Sequence, residues 1–140
     1  MSDRFFLDTN IFVYSFDRSA PQKAKKAEQL IGKALTTRKG VVSYQVVQEF
    51  FNVAFRRFSL PMQAAEAEQF LSTVFRPLLS IQSTAGLYSE ALRVYANKGL
   101  SWYDSLIVSA AMQANCDLLL SEDLQHGRKF GNLQVLNPFL

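Results

Sequence analysis

The chain contains only one cysteine, one histidine and one tryptophan among its 140 residues. Because Cys116 has no second cysteine to pair with, an internal disulfide is excluded. With His126 as the only imidazole, the sequence also lacks the thiolate and imidazole ligands of a structural zinc site. We expect Cys116 to be structural and His126 to lie outside the catalytic chemistry. Any metal bound by this chain must therefore be held by oxygen ligands.

Long hydrophobic runs are also missing from the chain. No apolar stretch approaches the roughly 18 residues that a membrane-spanning helix needs, and the N-terminal residues show no signal-peptide pattern. We therefore expect a cytoplasmic protein that is not inserted in a membrane. With 140 residues, 49% of them hydrophobic, and no repeat or low-complexity segment, the chain is expected to form one domain over residues 1–140.

Positive charge dominates once four acidic residues, discussed below, are set aside. The chain has 15 lysine and arginine residues against 12 acidic ones, and without those four acids the balance is 15 to 8, a net charge of +7. Such a balance favours binding to a polyanion. A solvated outer helix face is an equally good explanation for any one basic group. The candidate phosphate-contacting residues are Arg56, Arg57, Arg128 and Lys129.

Two kinds of apolar pattern alternate along the chain. Short runs predict strands over residues 4–7, 41–43, 77–81, 118–120 and 133–136. Longer segments, several with one apolar face, predict helices over residues 10–16, 22–37, 45–58, 63–74, 84–97 and 101–114. This alternation predicts an α/β fold, a three-layer sandwich in which helices cover both faces of a central parallel sheet.

Four acidic residues occupy positions from which folding can bring them together. Asp8 follows the strand-like run Phe5–Leu7, and Asp123 comes soon after Leu118–Leu120. In open parallel sheets, functional sites form at the carboxyl ends of the strands. Two carboxylates about 5 Å apart repel by about 3 kcal/mol at an effective dielectric constant of about 20, so a cluster needs a cation or a bound proton. The candidate catalytic residues are Asp8, Glu49, Asp104 and Asp123.

Each of these acids also has a simpler structural explanation. Asp8 suits the N-cap of the following helix, and Asp123 suits a turn after its strand. Glu49 lies on the polar face of its helix, where solvent exposure is common, and Asp104 fits a capping box begun by Ser101. Against this, three apolar residues on the same side of the helix predict that the Asp104 carboxylate faces the interior, namely Ile107, Val108 and Ala111.

An oxygen-only cluster is typical of a site for Mg²⁺ or Mn²⁺. Two carboxylates would suffice for acid–base catalysis without a metal, but none lies in an isolated apolar environment that would raise one pKa selectively. One or two such ions can activate a water for attack on phosphorus and neutralise the leaving oxygen. The sequence shows neither a glycine-rich phosphate loop nor the Asp-x-Asp-x-Thr pattern of haloacid-dehalogenase phosphotransferases after its first strand.

Four segments around these acids match one known family in sequence and in order. They are Leu7–Phe12, Ser43–Asn52 around Glu49, Trp102–Ile107, and Leu120–Leu124 with Gly127. On these segments the chain resembles the PIN-domain ribonucleases, and most closely the VapC-type toxins of bacterial toxin–antitoxin pairs. The first segment alone is a weak signal, but all four together are highly specific and cover almost the whole chain.

The resemblance implies a PIN-like fold and a Mg²⁺-dependent endoribonuclease, with Mn²⁺ as a possible substitute. It implies that the four acids are catalytic, that Asp8 and Asp104 bind the metal, and that Asn10 and Ser121 support the metal and its waters. RNA is the implied substrate, with the basic residues named above as candidate contacts. The implied partners are a second copy of the chain and a small VapB-like antitoxin, whose tail blocks the site and whose N-terminal part binds operator DNA.

Two other functions are compatible with parts of the sequence. One is a catalytically silent PIN domain that binds RNA or protein. The other is a phosphorelay receiver-like domain, which also has an acidic metal pocket in a small parallel α/β fold. A receiver would need an acidic pair after the first strand and a lysine at the end of a late strand, whereas this sequence has Asp8 followed by Thr9 and no matching lysine.

Phenylalanine is abundant in the third and fourth predicted helices. Two helices of a small domain do not readily bury that many aromatic rings, so the sequence predicts a surface groove that would receive an amphipathic segment of the antitoxin. The residues concerned are Phe50, Phe51, Phe55, Phe58, Phe70 and Phe75.

Overall fold

A computed structural model of the chain describes residues 2–140. Within these residues the strands are β1 (Phe5–Leu7), β2 (Gly40–Ser43), β3 (Leu79–Ile81), β4 (Leu118–Leu120), β5 (Lys129–Phe130) and β6 (Leu133–Leu136). The helices are α1 (Thr9–Tyr14), α2 (Pro21–Thr37), α3 (Tyr44–Arg56), α4 (Ala64–Phe70), α5 (Arg76–Leu78), α6 (Ala85–Lys98) and α7 (Trp102–Gln113). A π-helical segment, Leu71–Phe75, connects α4 to α5.

The strands form one mixed sheet, flanked by helices, in the order β3-β2-β1-β4-β6-β5. Neighbouring strands are parallel except for β5, which is antiparallel to β6. The predicted α/β class with a central parallel sheet is therefore confirmed. Because β1 lies between β2 and β4, the carboxyl ends of these three strands open onto the same edge of the sheet.

The antiparallel strand β5 is absent from the sequence prediction. It is only two residues long, so it shows no alternation of polar and apolar residues. Phe130 pairs with Leu133 across Gly131 and Asn132, and Gly131 has a left-handed φ of 60°. A Gly-Asn pair between two apolar residues is a hairpin signal that would have revealed this strand.

The prediction of a strand over residues 77–81 is wrong for its first two residues. Pro77 and Leu78 belong to α5, and β3 begins at Leu79. Helical structure continues from α4 through the π-helical segment into α5. Pro77 lacks an N–H donor for a regular helical hydrogen bond, and the widened π-helical turn lies directly before α5.

An aromatic cluster around Phe50 fills the core beside α1 and α3. The Phe50 ring stacks on Phe70 with a centroid distance of 5.1 Å, and meets Phe75 edge-on at 5.3 Å. Phe12, from α1, approaches Phe75 to 4.8 Å. The predicted phenylalanine groove is therefore largely filled by its own rings, and of the six residues named above only Phe55 is exposed, at 46%.

No helix within residues 2–140 is both long enough and apolar enough to cross a membrane.

Candidate active site

Two parallel strands place the first polar residues of the site. Leu7 in β1 is level with Leu120 in β4, and each strand is followed directly by a polar residue, Asp8 or Ser121. The backbone continues this pairing for one step, because the Asp8 N–H donates to the Leu120 carbonyl at 3.0 Å. Asp8 and Ser121 therefore lie side by side at the carboxyl edge of the sheet.

Asp8 is buried at this edge and has two short hydrogen bonds. Its Oδ2 accepts from the Ser121 hydroxyl at 2.8 Å, and its Oδ1 accepts from the Thr9 N–H at 2.7 Å, which makes it the N-cap of α1. Burial raises the pKa of Asp8 from 3.8 to about 7, so the expectation that no acid of the cluster has a selectively raised pKa is wrong. The two hydrogen bonds lower the pKa, whereas the negative charges of Asp123 and Glu49 raise it further.

Thr9 connects two of the predicted acids. Its backbone N–H caps Asp8, and its hydroxyl donates to Glu49 Oε1 at 2.8 Å. The Gln45 amide, one turn earlier on α3, approaches the other Glu49 oxygen at 3.5 Å and donates to the Tyr103 carbonyl at 3.2 Å. Glu49 is therefore held on the polar face of α3 by residues from two helices.

Asp123 lies on the more exposed side of the site and is oriented by Asn10. The Asn10 amide nitrogen is 3.1 Å from both Asp123 carboxylate oxygens. The Ser121 hydroxyl accepts from the Asp123 N–H at 3.1 Å, so the same hydroxyl connects Asp123 to Asp8. Partial burial raises the pKa of Asp123, as do the charges of Asp104 and Glu122, while the bond from Asn10 lowers it.

Asp104 lies in the first turn of α7, and its backbone N–H donates to the Ser101 hydroxyl at 3.1 Å. Half of the predicted capping box is therefore present. Within residues 2–140 the Asp104 carboxylate receives no hydrogen bond and forms no ion pair. It is partly exposed and lines an open pocket together with Ile107, so the prediction that it faces the interior is wrong. The first turn of α7 directs it to the edge of the sheet instead.

All four acids line one open pocket of about 280 Å³, which we call the acidic pocket. Among residues 2–140, Arg57 is the only basic residue lining it, so four carboxylates face one guanidinium, a formal charge of −3. In the part of the chain that is described, no ion pair involves any of these acids, because the ion pairs join Lys23 to Glu122, Lys39 to Asp3 and Arg93 to Glu90. The pocket therefore concentrates uncompensated negative charge.

The donor chemistry of this pocket suits a hard divalent cation, because every acidic ligand offers oxygen. Burial, with smaller contributions from the charges of Asp123 and Glu49, raises the pKa of Asp8, and a nearby cation would oppose this shift. Among residues 2–140, however, no three acidic, histidine or cysteine side chains converge closely enough to hold an ion as they stand. The residues fit the metal chemically but are not drawn together around one point.

The four predicted phosphate-contacting residues are separated in the structure. Arg57 lines the acidic pocket, whereas Arg56 is exposed at the end of α3 and is not part of the lining. Arg128 donates to the Lys98 carbonyl at 2.5 Å and covers the Phe130 ring. Lys129 is on β5, at the outer edge of the sheet and two strands away from β4.

Sequence reasoning missed three residues of the site. Thr9, Gln45 and Asn52 line the acidic pocket, and the first two position Glu49. Gln45 and Asn52 share the polar face of α3 with Glu49, four residues before it and three after, so helical spacing was a usable signal. For Thr9, the signal was its place directly after a strand and next to Asp8.

The sequence model of the PIN domain matches residues 5–129. The chain belongs to the PIN domain family. Membership in this family sets aside the phosphorelay receiver as an alternative.

Solved structures with the same fold include several toxins. A toxin–antitoxin complex from Klebsiella pneumoniae is similar with a TM-score of 0.66 and 15% identity, over 95% of this chain and 96% of that one. VapBC2 from Rickettsia felis bound to a promoter DNA fragment has a TM-score of 0.61 and 20% identity, over 94% and 96%. Mycobacterium tuberculosis VapC20, a toxin that cleaves the sarcin–ricin loop, has a TM-score of 0.56 and 20% identity, over 85% and 91%. No curated protein sequence matches the chain significantly.

Proposed function

We propose that the chain is a Mg²⁺-dependent endoribonuclease and the toxin of a toxin–antitoxin pair. The observation that carries the nuclease part is the acidic pocket, in which four carboxylates from four separate segments face a single guanidinium. Uncompensated charge of this density is costly, so it favours a site that works with a bound cation. An acidic pocket in a chain whose remaining charged residues are mostly basic suits neither a phosphate-binding module nor a purely structural core.

Asp8 and Asp104 are the proposed metal ligands, with Glu49 and Asp123 completing the catalytic set and Mn²⁺ as a substitute ion. When bound, the ion would supply Lewis acidity and a water of lowered pKa for attack on the phosphodiester. The hydrogen bonds from Ser121 and the Thr9 N–H fix the Asp8 carboxylate in place. The free Asp104 carboxylate needs no rearrangement of hydrogen bonds to become a ligand.

Three further residues prepare the site for the substrate. Asn10 fixes both oxygens of Asp123, and Thr9 fixes one oxygen of Glu49. These bonds hold two acids at the pocket rim, where either can accept a proton from a water. Arg57 is the basic residue in reach of the pocket and is proposed to contact the phosphate of the RNA.

The test compares RNA cleavage by purified wild type and Asp104→Asn in Mg²⁺ and in EDTA. Wild type should cleave only with the metal, and Asp104→Asn should not cleave because a ligand is lost. Glu122→Gln is the matched control, since Glu122 adjoins Asp123 in sequence but pairs with Lys23 and Tyr14 outside the pocket. Equal cleavage by wild type and Asp104→Asn would contradict the assignment of Asp104, whereas no cleavage by wild type in Mg²⁺ would favour a silent, binding-only PIN domain.

The toxin part of the proposal is supported by the fold, which this chain shares with solved toxin–antitoxin proteins. We infer a VapB-like antitoxin as partner, a homodimer, and a toxin–antitoxin assembly on operator DNA. Expression of the chain alone should arrest growth, and co-expression with the product of an adjacent short reading frame should relieve the arrest. Normal growth during expression of a folded, RNA-cleaving protein would remove the toxin role and leave the nuclease in place.

A further inference from the structure

A second pocket of about 280 Å³ lies directly beside the acidic pocket. The two pockets share Gln45 and Tyr103, so they adjoin at the start of α3 and α7. We call this second cavity the neutral pocket. The residues of its lining that carry the argument are Ser43, Gln45, Gln48, Tyr88, Trp102 and Tyr103.

The two pockets differ in charge. Among the described residues, none that lines the neutral pocket is acidic or basic, whereas the acidic pocket has four carboxylates and an arginine. The lining of the neutral pocket combines aromatic rings with amide and hydroxyl groups. Such a lining does not suit a phosphate or a metal ion, but it suits an uncharged aromatic heterocycle that stacks and accepts or donates hydrogen bonds.

Ser43 supplies an unsatisfied hydroxyl at this pocket. The residue is 3% exposed, and its Oγ has no hydrogen-bond partner within residues 2–140. It is the N-cap residue of α3, yet its side chain does not make the usual capping bond. A buried polar atom without a partner is rare because it costs free energy, and a ligand that pairs with it removes that cost.

The aromatic residues provide a stacking surface at the mouth of the pocket. Tyr88 and Trp102 pack against each other with ring centroids 6.3 Å apart and planes inclined by 41°. Tyr103 is 64% exposed and stands on the boundary with the acidic pocket. Stacking of one base on such rings contributes about 1–3 kcal/mol and works only for unpaired bases.

We propose that the neutral pocket binds one unpaired nucleobase of the RNA, next to the phosphodiester held in the acidic pocket. The base stacks on the aromatic rings, and its edge is read by Ser43, Gln45 and Gln48. This inference rests on the proposed nuclease function for its role in cleavage, but base binding itself requires neither metal nor catalysis.

Trp102 is the only tryptophan of the chain, so tryptophan fluorescence reports directly on the neutral pocket. Adenosine, guanosine, cytidine and uridine are titrated separately into the wild-type protein in EDTA. The same titrations into free N-acetyl-tryptophanamide correct for the light that the nucleosides absorb. At least one nucleoside should quench Trp102 saturably, and ribose 5-phosphate, which has no base, should not. Failure of all four nucleosides, or equal quenching by ribose 5-phosphate, overturns the proposal.

Two pairs of variants locate the binding. Ser43→Ala and Gln48→Ala should each weaken nucleoside binding by about five- to tenfold, the value of one lost hydrogen bond. Because the Ser43 hydroxyl is unpaired in the free protein, Ser43→Ala should leave the melting temperature unchanged or raise it.

The controls are Ser109→Ala, which removes a buried hydroxyl bonded to the Leu87 carbonyl at 3.0 Å, and Gln113→Ala on the exposed end of α7. Ser109→Ala should melt earlier yet bind normally.

A second copy of the chain is the competing occupant, because exposed Leu92 and Tyr95 continue the apolar face of α6 beyond Tyr88. Fluorescence is therefore repeated over a range of protein concentrations and with Leu92→Glu. Nucleoside binding that persists in a monomeric Leu92→Glu variant supports the proposal. A Trp102 signal that follows dimerisation, with no nucleoside effect in the monomer, overturns it.

Cleavage assays separate this inference from the nuclease assignment. Oligonucleotides with one varied or abasic position near the cut site should show a base preference in wild type that is reduced in Gln48→Ala. Cleavage without any base preference, and without nucleoside quenching, leaves the nuclease standing and refutes the base pocket. Quenching in a protein that does not cleave RNA refutes the nuclease and leaves the base pocket standing.

Discussion

Asp8 combines two roles that its sequence position left as alternatives. It caps α1 through the Thr9 N–H, and it is also the most buried acid of the acidic pocket. The two roles are compatible because a carboxylate has two oxygens, and the second accepts from Ser121. Burial nevertheless raises the pKa of Asp8 to about 7, which makes this residue sensitive to pH in the metal-free protein.

The stability of the metal-free protein should fall as the pH rises. An aspartate in an unfolded chain has a pKa of about 3.9, whereas burial raises the pKa of Asp8 to about 7 in the folded state. Between these values the folded state binds more protons, so the free energy of unfolding decreases with pH and then levels off above about pH 7. Asp123, whose pKa is also raised, contributes with the same sign.

Urea unfolding in EDTA measures this effect. We expect a loss of about 2–3 kcal/mol between about pH 5 and about pH 8, and expect Asp8→Asn to remove most of it. Asp117→Asn, an aspartate outside the acidic pocket, should keep the wild-type pH dependence. If Asp8→Asn loses as much stability over this pH range as wild type, Asp8 is not the titrating group.

Thr9 is a positioning residue whose hydroxyl holds Glu49. Thr9→Val preserves the shape of the side chain but removes this donor, so we expect cleavage to fall by about 10- to 100-fold. Thr9→Ser keeps the hydroxyl and should restore most of the activity. The measurement is the rate of RNA cleavage at saturating Mg²⁺. The same low activity in both variants would indicate a packing defect rather than a lost hydrogen bond.

At the scale of elements, α3 divides its functions between two faces. One face presents Gln45, Glu49 and Asn52 to the acidic pocket, and the other buries Phe50 in the aromatic core. Phe55 is exposed and stacks on Phe51 with a centroid distance of 5.6 Å. One helix therefore connects the acidic pocket to the core, and its exposed aromatic is a candidate contact for the proposed antitoxin.

Phe50→Ala and Phe55→Ala should differ in what they damage. Phe50→Ala removes a fully buried ring and should lower the free energy of unfolding by about 3–5 kcal/mol. Phe55→Ala should cost less than about 1 kcal/mol and leave RNA cleavage unchanged, but weaken the complex with the antitoxin. Calorimetric binding and urea unfolding measure the two effects. If Phe55→Ala binds the antitoxin with wild-type affinity, the antitoxin does not contact Phe55.

At the scale of the whole molecule, the charges are segregated. The acidic pocket holds four of the 12 acidic residues, and the remainder of the chain carries 15 basic against 8 acidic residues. An RNA strand would therefore be attracted by most of the surface and repelled at the pocket itself. A bound divalent cation would remove this local repulsion, so metal and RNA binding should support each other.

Binding of Mg²⁺ or Mn²⁺ should raise the melting temperature of the wild-type protein. An ion that binds only the folded state stabilises it by about 2.7 kcal/mol at a concentration 100 times its Kd. Asp8→Asn should be at least as stable as wild type without metal, because a carboxylate with no neutralising partner is removed, and should gain little from the ion. Glu122→Gln should gain as much as wild type. Equal shifts in Asp8→Asn and wild type would argue against a metal site at Asp8.

The sequence determined the alternation of strands and helices and the positions of most of their ends. Pro21, Thr84 and Ser101 mark helix starts as expected, because N-terminal helix preferences are local. Local patterns also placed Asp8 and Ser121 directly after strands. Periodicity did not reveal the two-residue strand β5, for which the Gly131-Asn132 turn was the usable local signal, and the π-helical segment has no local signal of this kind.

Only the tertiary structure decided which residues meet. The order β2-β1-β4 brings Asp8 beside Ser121, and the packing of α3 and α7 adds Glu49 and Asp104 to the same pocket. It also decided that Phe50 and Phe70 stack in the core while Phe55 stays exposed. Among residues 2–140, it left the Ser43 hydroxyl without a partner in the pocket that Trp102 also lines. Strand order and side-chain packing arise from contacts between residues far apart in the chain, which a local pattern does not contain.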